Sequence, residues 1–207
     1  ERLTLENGLR LLLASDNSAK TVAVSVTYGV GSRDEGPGQS GFAHLFEHMM
    51  FQGSEHVAKG KHFTFITERG GSLNGTTSSD RTNYFEVLPS TELPLAMWLE
   101  ADRMRALAVN AENFENQRAV VKEEYRMSYE NTAYRTGMLR LGELVFADYP
   151  PYAHPTIGSM KDLDGAKLEW VKTFYDSHYA PKNAVLTVAG DFDRDEAVKL
   201  ARQDRKS

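Results

Sequence analysis

The stretch Gly41-Phe42-Ala43-His44-Leu45-Phe46-Glu47-His48-Met49-Met50-Phe51 constrains this chain more than any other. It sets two imidazoles and a carboxylate inside an otherwise apolar run, where unpaired polar groups are costly. The apolar spacing from Phe42 to Gln52 predicts a helix, ended by Gly53. Each helical residue advances about 100°, so His44 and His48 lie roughly 40° apart, one turn above the other on a shared face. Two imidazoles at that spacing can bind one tetrahedral zinc. Glu47 stands on the flank of the same face, in reach of a water on the metal without being forced to ligate it. A fold that holds this helix must therefore bury it and still answer its polar groups.

The chemistry needs these residue types together. Imidazole ligands leave zinc a strong Lewis acid, and a carboxylate beside the water can take its proton and later hand it to a leaving amine. H-x-x-E-H is the inverted zinc-peptidase pattern. The chain has no cysteine, which excludes disulfides, thiolate sites and cysteine nucleophiles, so a metal must be held by histidine and carboxylate. Catalytic zinc usually takes three protein ligands, and no further histidine follows at close helical spacing. The best third ligand is Glu124, expected to share an inward helix face with Val120 and Val121. Glu123 is turned about 100° away and is the weaker choice. His56, His62, His154 and His178 complete no local ligand spacing and are expected on the surface or in loops.

Around the motif, Leu9 to Ala14 and Thr21 to Tyr28 read as strands after the Asn7-Gly8 turn. Gly29 to Gly41 reads as a loop, and Lys61 to Arg69 as a short helix. Ser72 to Thr77 and Asn83 to Leu88 read as a hairpin around a polar turn. Helices are expected over Leu93 to Leu107, Ala111 to Tyr129 and Gly137 to Phe146, then a long loop over Asp148 to Gly165. Leu168 to Tyr179 is helical, Asn183 to Ala189 a buried strand, and Asp193 to Gln203 a last helix running into the charged tail Asp204-Arg205-Lys206-Ser207. Strands at both ends of a helical middle predict an α+β class, one largely antiparallel or mixed sheet packed against helices.

Other function classes are disfavoured. The net charge of −5 comes with no basic stripe, which argues against nucleic acid. No apolar run approaches the length of a membrane span. The chain starts at Glu1 and ends on an unanswered amphipathic helix, so residues 1–207 are read as one catalytic domain that belongs to a longer protein.

The motif, with a glutamate 76 positions on (124 − 48 = 76), resembles the pitrilysin/insulinase family of zinc peptidases, which includes the mitochondrial processing peptidases. The resemblance continues through Gly70-Gly71-Ser72-Leu73-Asn74-Gly75-Thr76-Thr77, Asp80-Arg81-Thr82-Asn83-Tyr84 and His154-Pro155-Thr156-Ile157-Gly158. It ends with Tyr179-Ala180-Pro181-Lys182-Asn183 and Ala189-Gly190-Asp191, so it covers nearly the whole chain in order. It implies the LuxS/MPP-like metallohydrolase fold, zinc on His44, His48 and Glu124, and Glu47 as general base. It also implies that Asn74, Gly75 and Thr76 lie on a sheet edge offered to an extended peptide.

Two departures stand out. Many members carry glutamate seven residues before the third ligand, where this chain has Gln117, and Gly75 stands where the family often has alanine. Family enzymes are similar to a clamshell of two related halves, so a second homologous half or a partner subunit is expected. The implied function is a zinc endopeptidase acting on peptides or unfolded segments. The alternatives are a non-catalytic zinc-binding member serving as a peptide-binding or assembly subunit, and a helical scaffold with an incidental motif. A bacterial extracytoplasmic (periplasmic) address is expected, with the mitochondrion as the alternative.

Overall fold

Val22, Val24, Val26 and Tyr28 are buried while the residues between them are not, the two-residue period of a strand with one covered face. The computed structural model describes residues 1–203, and the expected charged tail at 204–207 lies outside the described residues. Strands β1 (Arg2–Thr4), β2 (Arg10–Ser15) and β3 (Thr21–Tyr28) come first, followed by helices α1 (Phe42–Met49) and α2 (Lys61–Thr67). The hairpin β4 (Ser72–Thr77) and β5 (Thr82–Pro89) precedes α3 (Leu93–Ala106), α4 (Ala111–Tyr125) and α5 (Arg135–Val145). Then come α6 (Met160–Gly165), α7 (Leu168–His178), β6 (Ala184–Gly190) and α8 (Arg194–Gln203).

Among the described residues six strands form one sheet in the order β1-β2-β6-β3-β5-β4. β6 runs parallel to β2 and antiparallel to β3, and the other pairs are antiparallel. The last strand thus slots between the second and third, which is how strands from both ends of the chain share one core. Leu11, Leu13, Tyr84, Leu88, Leu186 and Val188 line the covered face with the β3 residues. The other face is more polar: Ser25 Oγ and Thr27 Oγ1 both donate to Asn83 Oδ1, at 2.8 and 2.7 Å. The expected α+β class and mixed sheet are what the chain adopts.

Helix α1 is clamped on the covered side. Phe46 stacks on Phe174 at 5.7 Å between ring centroids and packs on Tyr179 at 5.0 Å, while the Tyr84 hydroxyl donates to the Phe46 carbonyl at 3.0 Å. Burying a phenylalanine side chain stabilises by about 1.5–3 kcal/mol, so Phe46 alone anchors the motif helix firmly.

Several boundaries differ from expectation. α1 stops at Met49, and α4 ends at Tyr125, passing into a π-helical stretch, Arg126–Glu130, rather than continuing to Tyr129. The expected long loop contains α6, capped by Ser159, whose Oγ accepts from the Asp162 N–H at 3.0 Å. β1 was not foreseen. α5 buries none of its residues, and Met138, Leu141, Leu144 and Val145 are exposed along it.

Candidate metal centre

His44 and His48 project from α1 with ring centroids 4.9 Å apart and planes at 85°. Glu124 arrives from α4, its Oε2 lying 3.3 Å from His48 Nε2 and 3.7 Å from His44 Nε2. The three donor atoms all lie within 4.8 Å of one another. Ligand bonds of about 2.0–2.2 Å in a tetrahedral site separate the donors by roughly 3.3–3.6 Å, so this trio fits a zinc-sized divalent cation. The donor set also suits one: two imidazoles and one carboxylate leave a doubly charged cation only partly neutralised.

The electrostatics agree with that use. Burial, and next the neighbouring His48, hold His44 below its ordinary range, which favours the neutral imidazole a metal requires. The His48 imidazole is the main cause keeping the Glu124 carboxyl below its usual value, with burial opposing. His44 Nδ1 is buried with no hydrogen-bond partner among the described residues.

The helix face that delivers Glu124 is the expected one at Val121 but not at Val120. Val121 and Gln117, three and seven residues before half-buried Glu124, are buried, whereas Val120 is 43% exposed. Glu123 points outward and accepts from Arg126 Nη1 at 3.0 Å. Gln117 Nε2 donates to Asn116 Oδ1 at 2.7 Å, along its own helix.

Glu47 is half-buried and overlies the sheet edge. Among the described residues β4 is an outer strand, paired with β5 on one side. Gly75 is buried beneath Glu47, and a Cβ added there would lie 3.1 Å from Glu47 Cγ. Asn74 and Thr76 are exposed on either side; Asn74 Oδ1 accepts the Gly75 N–H at 2.9 Å, and Thr76 Oγ1 accepts from Arg81 Nη1 at 2.9 Å.

One expectation about the other histidines is overturned: His62 is buried, 3% exposed, because α2 lays it against the covered sheet face beside Glu86, Glu100 and Arg103. Arg103 grips Glu100 through Nε at 3.0 Å and through Nη2, so that cluster already holds its own cation. The group of exposed Glu55 and His56 with buried Asp102 is likewise bridged by Arg105. His178 packs on the Phe174 ring at 4.6 Å. Sequence reasoning also passed over Glu35. Its buried carboxylate accepts the Gly41 and Ala43 N–H groups at 2.9 and 2.8 Å, and burial pushes it up to about 8. No local spacing announces it, since it sits in a glycine-rich loop.

Two histidines of one helix meet a glutamate of another beside an open sheet edge, an arrangement that could hold a metal ion and that fits the inverted-motif class of α+β proteins. The chain belongs to the insulinase family (peptidase family M16), whose model matches residues 10–141. The M16 inactive-domain model matches residues 166–204. The zinc protease PqqE of Helicobacter pylori is 32% identical over 204 residues, covering 98% of this chain and 46% of that protein. The crystal structure of a protease from Helicobacter pylori superposes with a TM-score of 0.90 at 32% identity, over 100% of this chain and 50% of that one. The periplasmic protease PqqL from Escherichia coli gives a TM-score of 0.87 at 26% identity, over 99% of this chain and 23% of that one. The chain therefore spans about half the length, or less, of these proteins.

Proposed function

We propose that this chain carries the catalytic half of a zinc-dependent endopeptidase, with His44, His48 and Glu124 as ligands and Glu47 as general base. The observation that carries the reading is the convergence of three donor atoms within 4.8 Å of one another from two separate helices. Zinc held by His44, His48 and Glu124 would supply a Lewis acid beside the scissile carbonyl and the attacking water. Glu47 accepts the proton of that water and returns it to the departing amine. The outer edge of β4 around Asn74, Gly75 and Thr76 holds an extended peptide by main-chain hydrogen bonds, directly below Glu47.

The partner is a second, homologous half, in the same polypeptide or in another subunit. The bare aliphatic side of α5 and the length of the relatives support it. The periplasmic Escherichia coli neighbour supports an extracytoplasmic bacterial address. No helix among the described residues is long and apolar enough to cross a membrane. Gln117, in place of a glutamate, favours a second reading in which the chain binds zinc and peptide without turnover.

The test is metal analysis with peptide cleavage, the second half supplied. Wild type should carry about one zinc per chain. Glu47→Gln should keep the metal and lose cleavage by on the order of 10²–10⁴-fold. Normal cleavage by Glu47→Gln refutes the base, and zinc and peptide binding without wild-type turnover selects the second reading.

A further inference from the structure

Helix α1 starts on Gly41, which has no side chain to cap it. Its exposed N–H groups are answered from outside the helix: Glu35 Oε2 accepts from Gly41 at 2.9 Å and Oε1 from Ala43 at 2.8 Å, and the side chain is wholly buried. Asp162 Oδ2 takes the Ser40 N–H at 3.2 Å. The loop His154–Gly158 braces the same point. A Cβ on Gly158 would come within 2.4 Å of Gly41 Cα, and His154 Nδ1 lies 3.6 Å from Glu35 Oε2. Gly41 itself adopts φ 100°, which also favours glycine.

The two histidines depend on this collar unequally. His48 sits one turn further in, beyond Phe46, whose ring and carbonyl are pinned by α7 and Tyr84. His44 is in the first helical turn, immediately after Ala43, where a helix without its cap frays.

The geometry points to Glu35 as a positioning residue for the metal centre: it fixes the first turn of α1 and so aims His44 at the point shared by His48 and Glu124. The assignment rests on the metal-centre reading above. Glu35→Gln retains the size of the side chain but turns an amide NH2 towards a backbone donor, and Glu35→Asp is too short to reach both N–H groups. Zinc affinity of the 207-residue chain is measured by competition with a chromogenic chelator, and the visible bands of its cobalt(II) form are recorded. Both variants should lose zinc affinity by about 10–100-fold, the scale of outer-shell changes, with altered cobalt bands. Val188→Ala, a core change on β6, should lower the melting temperature while leaving affinity and bands unchanged.

Wild-type affinity and spectrum in Glu35→Gln overturn the inference and leave the zinc site standing. A wild-type chain that binds no zinc refutes the site itself. Should Glu35→Gln fail to fold, amide exchange in the wild-type chain decides. Gly41 and Ala43 amides should be protected in both zinc-free and zinc-loaded forms, and free exchange in either overturns the inference.

Discussion

His48 Nε2 and Glu124 Oε2 lie 3.3 Å apart, although 76 positions separate them in the chain (124 − 48 = 76). Each is carried there by its own helix: α1 is clamped by Phe46, and α4 turns Val121 into the core and Glu124 towards the imidazoles. Replacing Glu124 with alanine removes a donor while leaving the packing of Val121. We expect zinc affinity in Glu124→Ala to fall further than the about 10–100-fold typical of outer-shell changes, with a near-normal melting temperature for the metal-free protein. Chelator competition checks it; wild-type affinity would show that Glu124 is no ligand.

Gly75 leaves room for Glu47 and little else. The position a Cβ would take is 3.1 Å from Glu47 Cγ and 3.3 Å from both Phe51 and Tyr84. A branched side chain there must push Glu47 away from the sheet edge without touching His44, His48 or Glu124. Gly75→Val should therefore lose cleavage by on the order of 10²-fold, the cost of a misplaced catalytic group, while binding zinc as tightly as wild type. A parallel loss of zinc would place the damage in the fold instead.

Local pattern carried much of this architecture. The period of two along Thr21–Tyr28 and the hairpin from Ser72 mark their strands with little error, because each strand has one covered face. The motif helix is legible for the same reason in the other period. What stayed hidden depended on distant partners. β1 is a three-residue strand, too short to show alternation. Ser159 and Asp162 hold a capping pattern that could have revealed α6 inside the proline-containing stretch. Val120 and Val121 look equivalent in sequence, yet only Val121 meets the core, since the tilt of α4 is set by packing. Glu35 and His62 are functional and structural surprises alike, because both are buried by segments far from them in the chain.

Metal removal should register in stability. The donors from α1 and α4 come together only in the folded chain, so zinc binds the folded state preferentially. Linkage then adds about 2.7 kcal/mol when free zinc is a hundredfold above its dissociation constant. Chelation should lower the melting temperature of wild type and leave that of His48→Ala unmoved. An unchanged melting temperature in wild type would match the incidental-motif scaffold.

The last prediction concerns acid and base limits set away from the metal. His62 Nε2 and Glu86 Oε2 face each other at 3.2 Å, both buried. Burial, and then the Arg103 charge, take His62 down to about 2, while burial, and then Glu100, push Glu86 well above the carboxylate range. Both shifts favour a neutral pair, with the Glu86 acid donating to a neutral imidazole. As pH falls below 6.5 the unfolded chain protonates His62 and the folded one does not, so stability is lost towards acid. As pH rises above 4.5 the unfolded chain ionises Glu86 while the folded one retains the proton, so that contribution is lost towards base. Between pH 7 and 5 the melting temperature of wild type should therefore drop more than that of His62→Gln, whose amide oxygen can accept the same hydrogen bond. Between pH 5 and 8 it should decline relative to Glu86→Gln. A wild-type melting temperature that instead rises relative to His62→Gln between pH 7 and 5 would mean that the pair is charged in the folded protein.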